Sequence, residues 1–225
     1  MKISDRETIR KKSADIFLEI YNRVKSLENI PLSSFDTDKT VLVIVDVING
    51  FIREGAMADP RIEYIIQGTA KLLEKCSEAG IPAVAFADSH RKNAEEFSSY
   101  PVHCISGSSE CELVSELKEK TGYILAEKNS TNGFFSPVMQ KFLADNPERT
   151  DFIVCGDCTD ICVMNFCLSL KTYFEQNNIR SSVTVLTALT ETYNSDQHDA
   201  DIMNLAAAEF MKNAGIRIVG GVEYE

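Results

Sequence analysis

The sequence predicts an α/β fold, a three-layer α/β/α sandwich built on a six-stranded parallel sheet. Six short apolar runs alternate with segments of helical periodicity along most of the chain. The runs are apolar throughout, which is typical of parallel strands that are covered by helices on both faces. With 225 residues, of which 44% are hydrophobic, the chain is long enough to bury a sizeable core.

An N-terminal helical arm is predicted ahead of the first strand. Apolar residues recur at three- and four-residue steps across residues 4–28, and Ser4 or Asp5 is a suitable N-cap. The polar link PLSSFDTDKT follows, so we divide the chain into an arm, residues 1–38, and an α/β domain, residues 39–225. Because a short amphipathic helix is marginal alone, we expect the arm to stabilise a homo-oligomer.

The rest of the chain alternates between predicted strands and predicted helices. The strands are Val41–Val45, Ala83–Ala87, Tyr123–Ala126, Phe152–Cys155, Ser182–Ala188 and Arg217–Val219. The helices are Pro60–Gly80, Glu110–Lys120, Pro137–Asn146, Ile161–Asn177 and His198–Asn213. The polar segment 88–109 is predicted to be a functional loop, because loops of this length are uncommon in compact domains.

The composition disfavours several classes of partner. The formal net charge of -11 disfavours nucleic acid or an anionic membrane. No apolar stretch approaches the roughly 18 residues of a membrane-spanning helix, and the N-terminal residues lack the apolar segment of a secretory signal. We therefore expect a cytoplasmic protein that binds neither nucleic acid nor a membrane.

The seven cysteines are expected to be reduced thiols. Their number is odd, and their spacing is not that of a secreted disulfide scaffold. A metal cluster of four neighbouring cysteines is an alternative, but the paired C-x-x-C spacing of a structural zinc site is missing. The four are Cys155, Cys158, Cys162 and Cys167.

Reactive polar residues follow the apolar runs at their carboxyl ends. Asp46 follows the first strand, and Asp88 with His90 follows the second. Lys128 follows the third strand, and Cys162 comes shortly after the fourth. Because the carboxyl ends of parallel strands meet at one edge of a sheet, these side chains are expected to lie close together. A carboxylate, a lysine and a cysteine in contact would form an activated-thiol site.

Cys162 is the candidate nucleophile. It lies in GDCTDICV, where a strand is predicted to turn into a helix whose positive end favours the thiolate. Backbone N–H groups between Cys158 and Cys162 are placed to bind an oxyanion. Asp46 would serve as a general base, and Lys128 would stabilise the thiolate. Taken singly, these residues also fit a buried cysteine, a structural aspartate and a solvated lysine.

The segment DSHRKNAEEFSSYPVHC contains a candidate metal site. Asp88 and His90 share a face on extended backbone, and Glu96 and His103 follow in the same loop. Two imidazoles and one or two carboxylates suit a divalent ion such as zinc, manganese or iron. Polar loop residues that bind no metal are the alternative.

The sequence resembles the isochorismatase-like cysteine hydrolases, and within them the nicotinamidases. The resemblance rests on VIVDVINGF, FADSH, EFSSYPVHCISGS, EKNSTNGFF and GDCTDICV, which cover most of residues 41–167. It implies that Asp46, Lys128 and Cys162 form a catalytic triad. It also implies hydrolysis of nicotinamide to nicotinate and ammonia through a cysteine thioester, a reaction of NAD salvage.

The resemblance implies roles for further residues. Backbone N–H groups of Cys158 and Cys162 would form an oxyanion hole, next to a cis peptide at Asp157–Cys158. One divalent transition metal would hold the pyridine nitrogen of the substrate. Its ligands would be Asp88, His90, Glu96 and His103, with Glu95 as the alternative to Glu96. The substrate ring would lie among Phe51, Tyr100, where many relatives have tryptophan, and Phe135.

Other functions are compatible with the same residues. A related cysteine amidase would act on another small amide or on a carbamoyl compound. A non-catalytic scaffold member of the family would use the arm for assembly, and the clustered cysteines are compatible with redox sensing. His198 is interpreted as a helix-start or surface residue, not as a ligand.

Overall fold

The computed structural model describes residues 1–224, which contain eight strands and seven α-helices. The strands are β1 (Ile30–Pro31), β2 (Thr40–Val45), β3 (Ala83–Asp88), β4 (Tyr123–Lys128), β5 (Asp151–Asp157), β6 (Ser182–Glu191), β7 (Arg217–Val219) and β8 (Val222–Glu223). The helices are α1 (Arg6–Lys25), α2 (Asn49–Ile52), α3 (Ile65–Glu78), α4 (Ser115–Lys118), α5 (Pro137–Asp145), α6 (Met164–Gln176) and α7 (Ala200–Asn213).

Six strands form one parallel sheet in the order β4-β3-β2-β5-β6-β7. The remaining two, β1 and β8, pair with each other in a small parallel sheet. The predicted α/β fold with a six-stranded parallel sheet is confirmed, whereas β1 and β8 are too short to show a pattern in the sequence.

Helices cover the central sheet on both faces, which explains why β2 and β3 are buried at every position. In β2, Leu42 and Ile44 pack in a core with α3, while Val41, Val43 and Val45 pack in a second core with α5, α6 and α7. Full burial of one such side chain contributes about 1.5–3 kcal/mol. The period-2 geometry of a strand thus sends alternate residues of β2 into the two cores.

The strand order places a crevice between β2 and β5. The chain passes outward from β2 to β3 and β4, and then returns to the other side of β2 with β5. Such a reversal opens a ligand crevice at the carboxyl ends of the two central strands. Asp46 follows β2 and Cys162 follows β5, so both lie at this crevice.

One predicted helix, Glu110–Lys120, is wrong over most of its length. The structure has a 3-10 turn at Ser109–Cys111 and then only the four-residue α4. The backbone between them is engaged elsewhere, because Leu113 forms an antiparallel bridge with Ile48 and the Val114 N–H donates to the Val47 carbonyl at 3.1 Å. This tertiary pairing overrides the local helical pattern.

Three other predicted helices begin later than expected. A 3-10 turn at Pro60–Tyr64 precedes α3, and a π-helical turn at Thr159–Val163 precedes α6. The last helix starts at Ala200 because Asp199 is its N-cap, whose carboxylate accepts a hydrogen bond from the Ile202 N–H at 3.0 Å.

The predicted N-terminal helix is present as α1, with Asp5 as its cap. It packs against α7, where Arg23 forms an ion pair with Glu209, and Ile20 is its buried residue. The division at residue 38 and the role of the arm in oligomers stay predictions, and Glu225, the last residue of the predicted domain, lies outside the described residues. Within residues 1–224, no helix is both long and apolar enough to cross a membrane.

Candidate active site

Three buried side chains meet at the crevice between the central strands. The Lys128 ammonium lies 2.8 Å from Asp46 Oδ2 and 3.8 Å from Cys162 Sγ. Each comes from the carboxyl end of a different strand, as the sequence predicts for a parallel sheet. The structure therefore brings together the three residues of the predicted triad.

The backbone directs Asp46 into the crevice. Asp46 follows β2 and has φ of 51°, a left-handed conformation that aspartate tolerates better than most residues. Its N–H donates to the Phe86 carbonyl at 3.2 Å, and its own carbonyl accepts from the Ile48 N–H at 2.7 Å. Within residues 1–224, the buried Oδ1 atom of Asp46 has no hydrogen-bond partner, which leaves it available to accept a proton.

Lys128 is held between two carboxylates. Its ammonium contacts Asp88 Oδ1 at 2.5 Å as well as Asp46, and it donates to the Ser130 carbonyl at 3.2 Å. Burial lowers the pKa of Lys128, but the charges of Asp46 and Asp88 outweigh it and raise the pKa well above its usual range. Lys128 is therefore a fixed positive charge within the site.

Burial shifts the pKa values of both groups that would exchange a proton. Burial raises the pKa of Asp46 to about 7, against the opposing charge of Lys128. Burial also raises the pKa of the Cys162 thiol well above its usual range, although Lys128 again opposes the shift. Burial thus opposes the thiolate that the start of the helix is expected to favour. Ionisation of Cys162 then depends on a base that takes its proton, and Asp46 is the adjacent candidate.

The turn that carries Cys162 begins with a tight approach between two strands. Gly156 pairs with Val45 and has φ of 116°, and a Cβ atom at this position would lie 1.9 Å from the Val45 carbonyl oxygen. A cis peptide joins Asp157 and Cys158, as the resemblance implies. The sequence GDC therefore fits a backbone that a residue with a side chain at position 156 would prevent.

Cys158 and Cys162 lie at the two ends of this turn. The Ile161 and Val163 N–H groups both donate to the Cys158 carbonyl at 3.1 Å and close the π-helical turn around the thiol. Both cysteines are buried, and all seven cysteines of the described residues are free thiols. The assignment of the Cys158 and Cys162 N–H groups to an oxyanion hole stays a prediction.

The four predicted metal ligands form one compact donor set. Ligand atoms of Asp88, His90, Glu96 and His103 all lie within 4.8 Å of one another. The Nε2 atoms of both histidines face carboxylate oxygens at 3.6–4.0 Å. The structure places Glu96 in this set, whereas Glu95 is exposed and lies outside it.

The hydrogen bonding of the donor set fits a bound metal ion. His103 Nδ1 donates to the Pro101 carbonyl at 2.7 Å, which leaves the Nε2 lone pair directed at the set. In the described part of the chain, neither ring nitrogen of His90 nor Asp88 Oδ2 has a hydrogen-bond partner. Orphaned buried atoms of these types suit zinc, manganese or iron.

Other candidate metal groups fit less well. Asp46, Asp88 and Cys162 also offer ligand atoms within the same distance, but the Lys128 ammonium already contacts all three. Among residues 1–224, neither candidate group is made of four cysteines. The four-cysteine metal cluster is therefore not formed.

The three predicted aromatic residues differ in position. The rings of Phe51 and Tyr100 lie 5.6 and 6.4 Å from the His103 ring, so both border the donor set. Phe135 has 67% of its surface exposed and lies at the edge of an open cavity of about 420 Å³ that also reaches Lys128. Phe51 and Tyr100 are thus placed to contact a ligand at the donor set, and Phe135 stands at the solvent side of Lys128.

His198 directly precedes the N-cap of α7, which agrees with the helix-start interpretation, but its side chain is mostly buried and not on the surface. Its Nε2 atom lies 2.8 Å from Asp160 Oδ2, and its ring stacks on Tyr193 at 4.0 Å with an interplanar angle of 4°. Asp160 belongs to the turn that carries Cys162. Sequence reasoning missed this contact because 38 residues separate Asp160 from His198 and no local spacing marks the pair.

The Isochorismatase domain model matches residues 40–214. The chain belongs to the isochorismatase family. Nicotinamidase 1 of Arabidopsis thaliana is 28% identical over 239 residues, covering 93% of this chain and 97% of that protein. A probable inactive nicotinamidase of the same plant is 25% identical over 191 residues, covering 79% of this chain and 90% of that protein.

A solved structure of the same fold contains a metal. It is the pyrazinamidase of Pyrococcus horikoshii in complex with zinc, which is 24% identical and has a TM-score of 0.66. The match covers 80% of this chain and 98% of that chain. The family membership and these similarities support a hydrolase.

Proposed function

We propose that the protein is a cysteine amidohydrolase that converts nicotinamide and water to nicotinate and ammonia. The observation that carries the proposal is the position of Asp88. Its carboxylate contacts Lys128 at 2.5 Å and also belongs to the donor set. A planar amide that is anchored at the donor set by its ring nitrogen therefore has its carboxamide within reach of Cys162. The similarity to a nicotinamidase over nearly the whole chain supports this substrate.

The triad supplies the nucleophile and the proton transfers. Cys162 Sγ attacks the carboxamide carbon while Asp46 Oδ1, which has no hydrogen-bond partner in the described residues, accepts the thiol proton. Asp46 passes that proton to the nitrogen, the C–N bond breaks, and ammonia leaves as the thioester forms. Asp46 then takes a proton from water, whose oxygen attacks the thioester. Nicotinate is released, and Cys162 recovers its proton.

Lys128 keeps these groups in place. Its ammonium contacts Asp46, Asp88 and Cys162 at once. The contact at 2.8 Å orients the Asp46 carboxylate toward the thiol. The positive charge also stabilises the thiolate character that develops as the proton leaves Cys162. The N–H groups of Cys158 and Cys162 are proposed to bind the oxygen of the tetrahedral intermediate.

The donor set is proposed to hold one divalent transition metal, zinc, manganese or iron. When bound, the metal supplies a Lewis acid that anchors the pyridine nitrogen. Zinc in the Pyrococcus horikoshii structure supports this proposal. Phe51 and Tyr100 border the donor set and offer flat aromatic faces to the substrate ring.

Ammonia release from a panel of small amides tests the proposal. The panel contains nicotinamide, aliphatic amides and carbamoyl compounds, and the metal content is measured on the same sample. A kcat/KM for nicotinamide at least tenfold above the others is expected. A higher kcat/KM for a carbamoyl compound would instead assign the protein as a related cysteine amidase.

Absence of ammonia release from every amide would point to a non-catalytic member of the family, as in the probable inactive relative. In that case Cys162 should react with iodoacetamide no faster than the other thiols. This second measurement separates a non-catalytic protein from an enzyme whose substrate is missing from the panel.

A further inference from the structure

A second polar cluster lies beside the turn that carries Cys162, and the proposed steps do not use it. Asp160 lies two residues before Cys162 and accepts a hydrogen bond from Thr192 Oγ1 at 2.7 Å. Its other oxygen accepts from His198 Nε2 at 2.8 Å. The His198 Nδ1 atom lies 2.9 Å from the Tyr193 carbonyl oxygen. The two ring nitrogens of His198 thus lie within hydrogen-bond distance of Asp160 and of the Tyr193 carbonyl, and these contacts link the turn of Cys162 to the segment after β6.

The same histidine covers one face of Tyr193. The two rings are nearly parallel, with an interplanar angle of 4° and a centroid distance of 4.0 Å. The imidazole ring therefore packs flat on the phenol ring. Among residues 1–224, no other ring is found stacked on Tyr193.

The topology places Tyr193 at the rim of the crevice. Strand β6 ends at Glu191, which pairs with Asp157 at the end of β5. Tyr193 comes two residues after that end, so it stands beside Cys158 and the turn that follows. Consistent with this position, burial raises the pKa of Tyr193, and the charges of Cys158 and Asp160 add to the shift.

Tyr100 faces the same space from the loop that carries the donor set. Burial raises its pKa, and the neighbouring acidic groups that add to the shift include Tyr193, Cys162 and Glu96. Tyr100 also borders the donor set through its 6.4 Å ring contact with His103. The two tyrosines therefore approach the crevice from the nucleophile side and from the donor-set side.

The residue that follows Tyr193 is held by two hydrogen bonds. The Asn194 N–H donates to Asp59 Oδ2 at 2.7 Å, and Asn194 Oδ1 accepts from the Ala200 N–H at 2.9 Å. Helix α7 has its own cap in Asp199, so its start does not depend on His198. The contact between His198 and Asp160 therefore holds Tyr193 in position and is not needed for the start of α7.

We propose that Tyr193 forms a wall of the substrate site over Cys162, and that His198 is a positioning residue that holds this wall through Asp160. The ligand class is a planar aromatic amide, whose ring would contact the face of Tyr193 opposite His198. The identity of that amide rests on the proposed function, whereas the position of the wall does not.

Four variants of the full-length protein test the proposal. His198→Ala removes the stack and both hydrogen bonds of the ring, whereas His198→Phe keeps an aromatic ring on Tyr193 and removes the hydrogen bonds to Asp160 and to the Tyr193 carbonyl. Tyr193→Ala removes the wall. Asp199→Ala is the matched control, because it removes the α7 cap, at a cost of about 1 kcal/mol, and leaves the stack in place.

Two measurements are made on each variant: KM and kcat for nicotinamide, and the rate at which iodoacetamide alkylates Cys162, identified by peptide mass spectrometry. His198→Ala and Tyr193→Ala are expected to raise KM about fivefold to tenfold, the range of one lost aromatic contact, with kcat within about twofold. Both are expected to speed alkylation of Cys162 by a similar factor, and His198→Phe is expected to lie between them and the wild type.

The proposal is overturned if His198→Ala keeps both the wild-type KM and the wild-type alkylation rate. It is also overturned if Asp199→Ala reproduces the changes of His198→Ala, because His198 would then act only on the helix start. A wild-type protein that releases no ammonia from nicotinamide would refute the proposed function alone. In that case, the alkylation rates of the variants would still test whether Tyr193 covers Cys162.

Discussion

The Asp88 carboxylate contacts the Lys128 ammonium through Oδ1 at 2.5 Å and turns Oδ2 toward His103 Nε2, 4.0 Å away. Lys128 in turn contacts Asp46 at 2.8 Å. Asp88 is thus a member of the donor set and a neighbour of the triad at the same time. A change at Asp88 is therefore expected to alter both groups, whereas a change at another ligand alters only the donor set.

Asp88→Asn should make Cys162 more reactive in metal-free protein. The negative charge of Asp88 helps to raise the pKa of the Cys162 thiol and of Asp46, so its removal lowers both. One pK unit corresponds to about a tenfold change in the ionised fraction, so we expect iodoacetamide alkylation at Cys162 to be about threefold to tenfold faster. Glu96→Gln is the matched control. It should lose metal like Asp88→Asn but keep the wild-type alkylation rate, and equal rates in the two variants would contradict the coupling.

Cys162→Ala should abolish ammonia release. The thioester cannot form without the thiol, and loss of a covalent nucleophile costs on the order of 10³-fold or more in kcat. Cys167→Ala is the control, since Cys167 is a fully buried thiol on α6 that contacts the core rather than the crevice. It should lose some stability and retain turnover. Residual turnover in Cys162→Ala comparable to that of Cys167→Ala would exclude Cys162 as the nucleophile.

The fold and the triad could be predicted from the sequence for one physical reason. Strand β2 is buried on both faces, so its residues are apolar without alternation, and the polar residue that ends such a run stands out. Parallel pairing then brings the ends of β2, β4 and β5 to one edge without any knowledge of the loops. In this way the sequence alone could identify Asp46, Lys128 and Cys162 as neighbours.

The contacts that sequence reasoning missed are those set by tertiary pairing. The helix predicted at Glu110–Lys120 gives way to the bridge between Ile48 and Leu113, whose partners are far apart in the chain. The contact between Asp160 and His198 has the same origin. The raised pKa of the Cys162 thiol was missed for another reason, because it depends on how deeply the thiol is buried and not on its place in a helix.

Turnover should show an acid limb near pH 7. Burial raises the pKa of Asp46 to about 7, so the carboxylate that acts as base forms only as the pH rises through that value. Below it, kcat/KM should fall about tenfold per pH unit. Protonation of histidine ligands also weakens metal binding, so the metal content must be measured at each pH. A profile that stays flat down to pH 5 with full metal content would show that Asp46 is not the base.

Gly156→Ala should prevent stable folding. A Cβ atom would lie 1.9 Å from the Val45 carbonyl oxygen, and φ is 116°. Because β2 and β5 are the central pair of the sheet, we expect a loss of more than about 3 kcal/mol in the free energy of unfolding. Gly80→Ala is the control, since Gly80 also has positive φ, 78°, but has open space around it. Its cost should be about 1 kcal/mol, and equal unfolding midpoints in urea for the two variants would contradict the steric argument.

Asp157→Asn should stabilise the protein increasingly as the pH rises. Burial raises the pKa of Asp157 well above its usual range, and within residues 1–224 neither carboxylate oxygen has a hydrogen-bond partner. The folded protein therefore keeps a proton at Asp157 that the unfolded chain releases above about pH 4. Folding then takes up a proton, so this carboxyl group lowers stability by about 1.4 kcal/mol per pH unit between its unfolded and folded pKa values. Asparagine has no such proton. Urea unfolding at pH 5 and pH 8 should show a larger advantage of the variant at pH 8, and an advantage that shrinks with pH would mean that Asp157 is ionised in the folded protein.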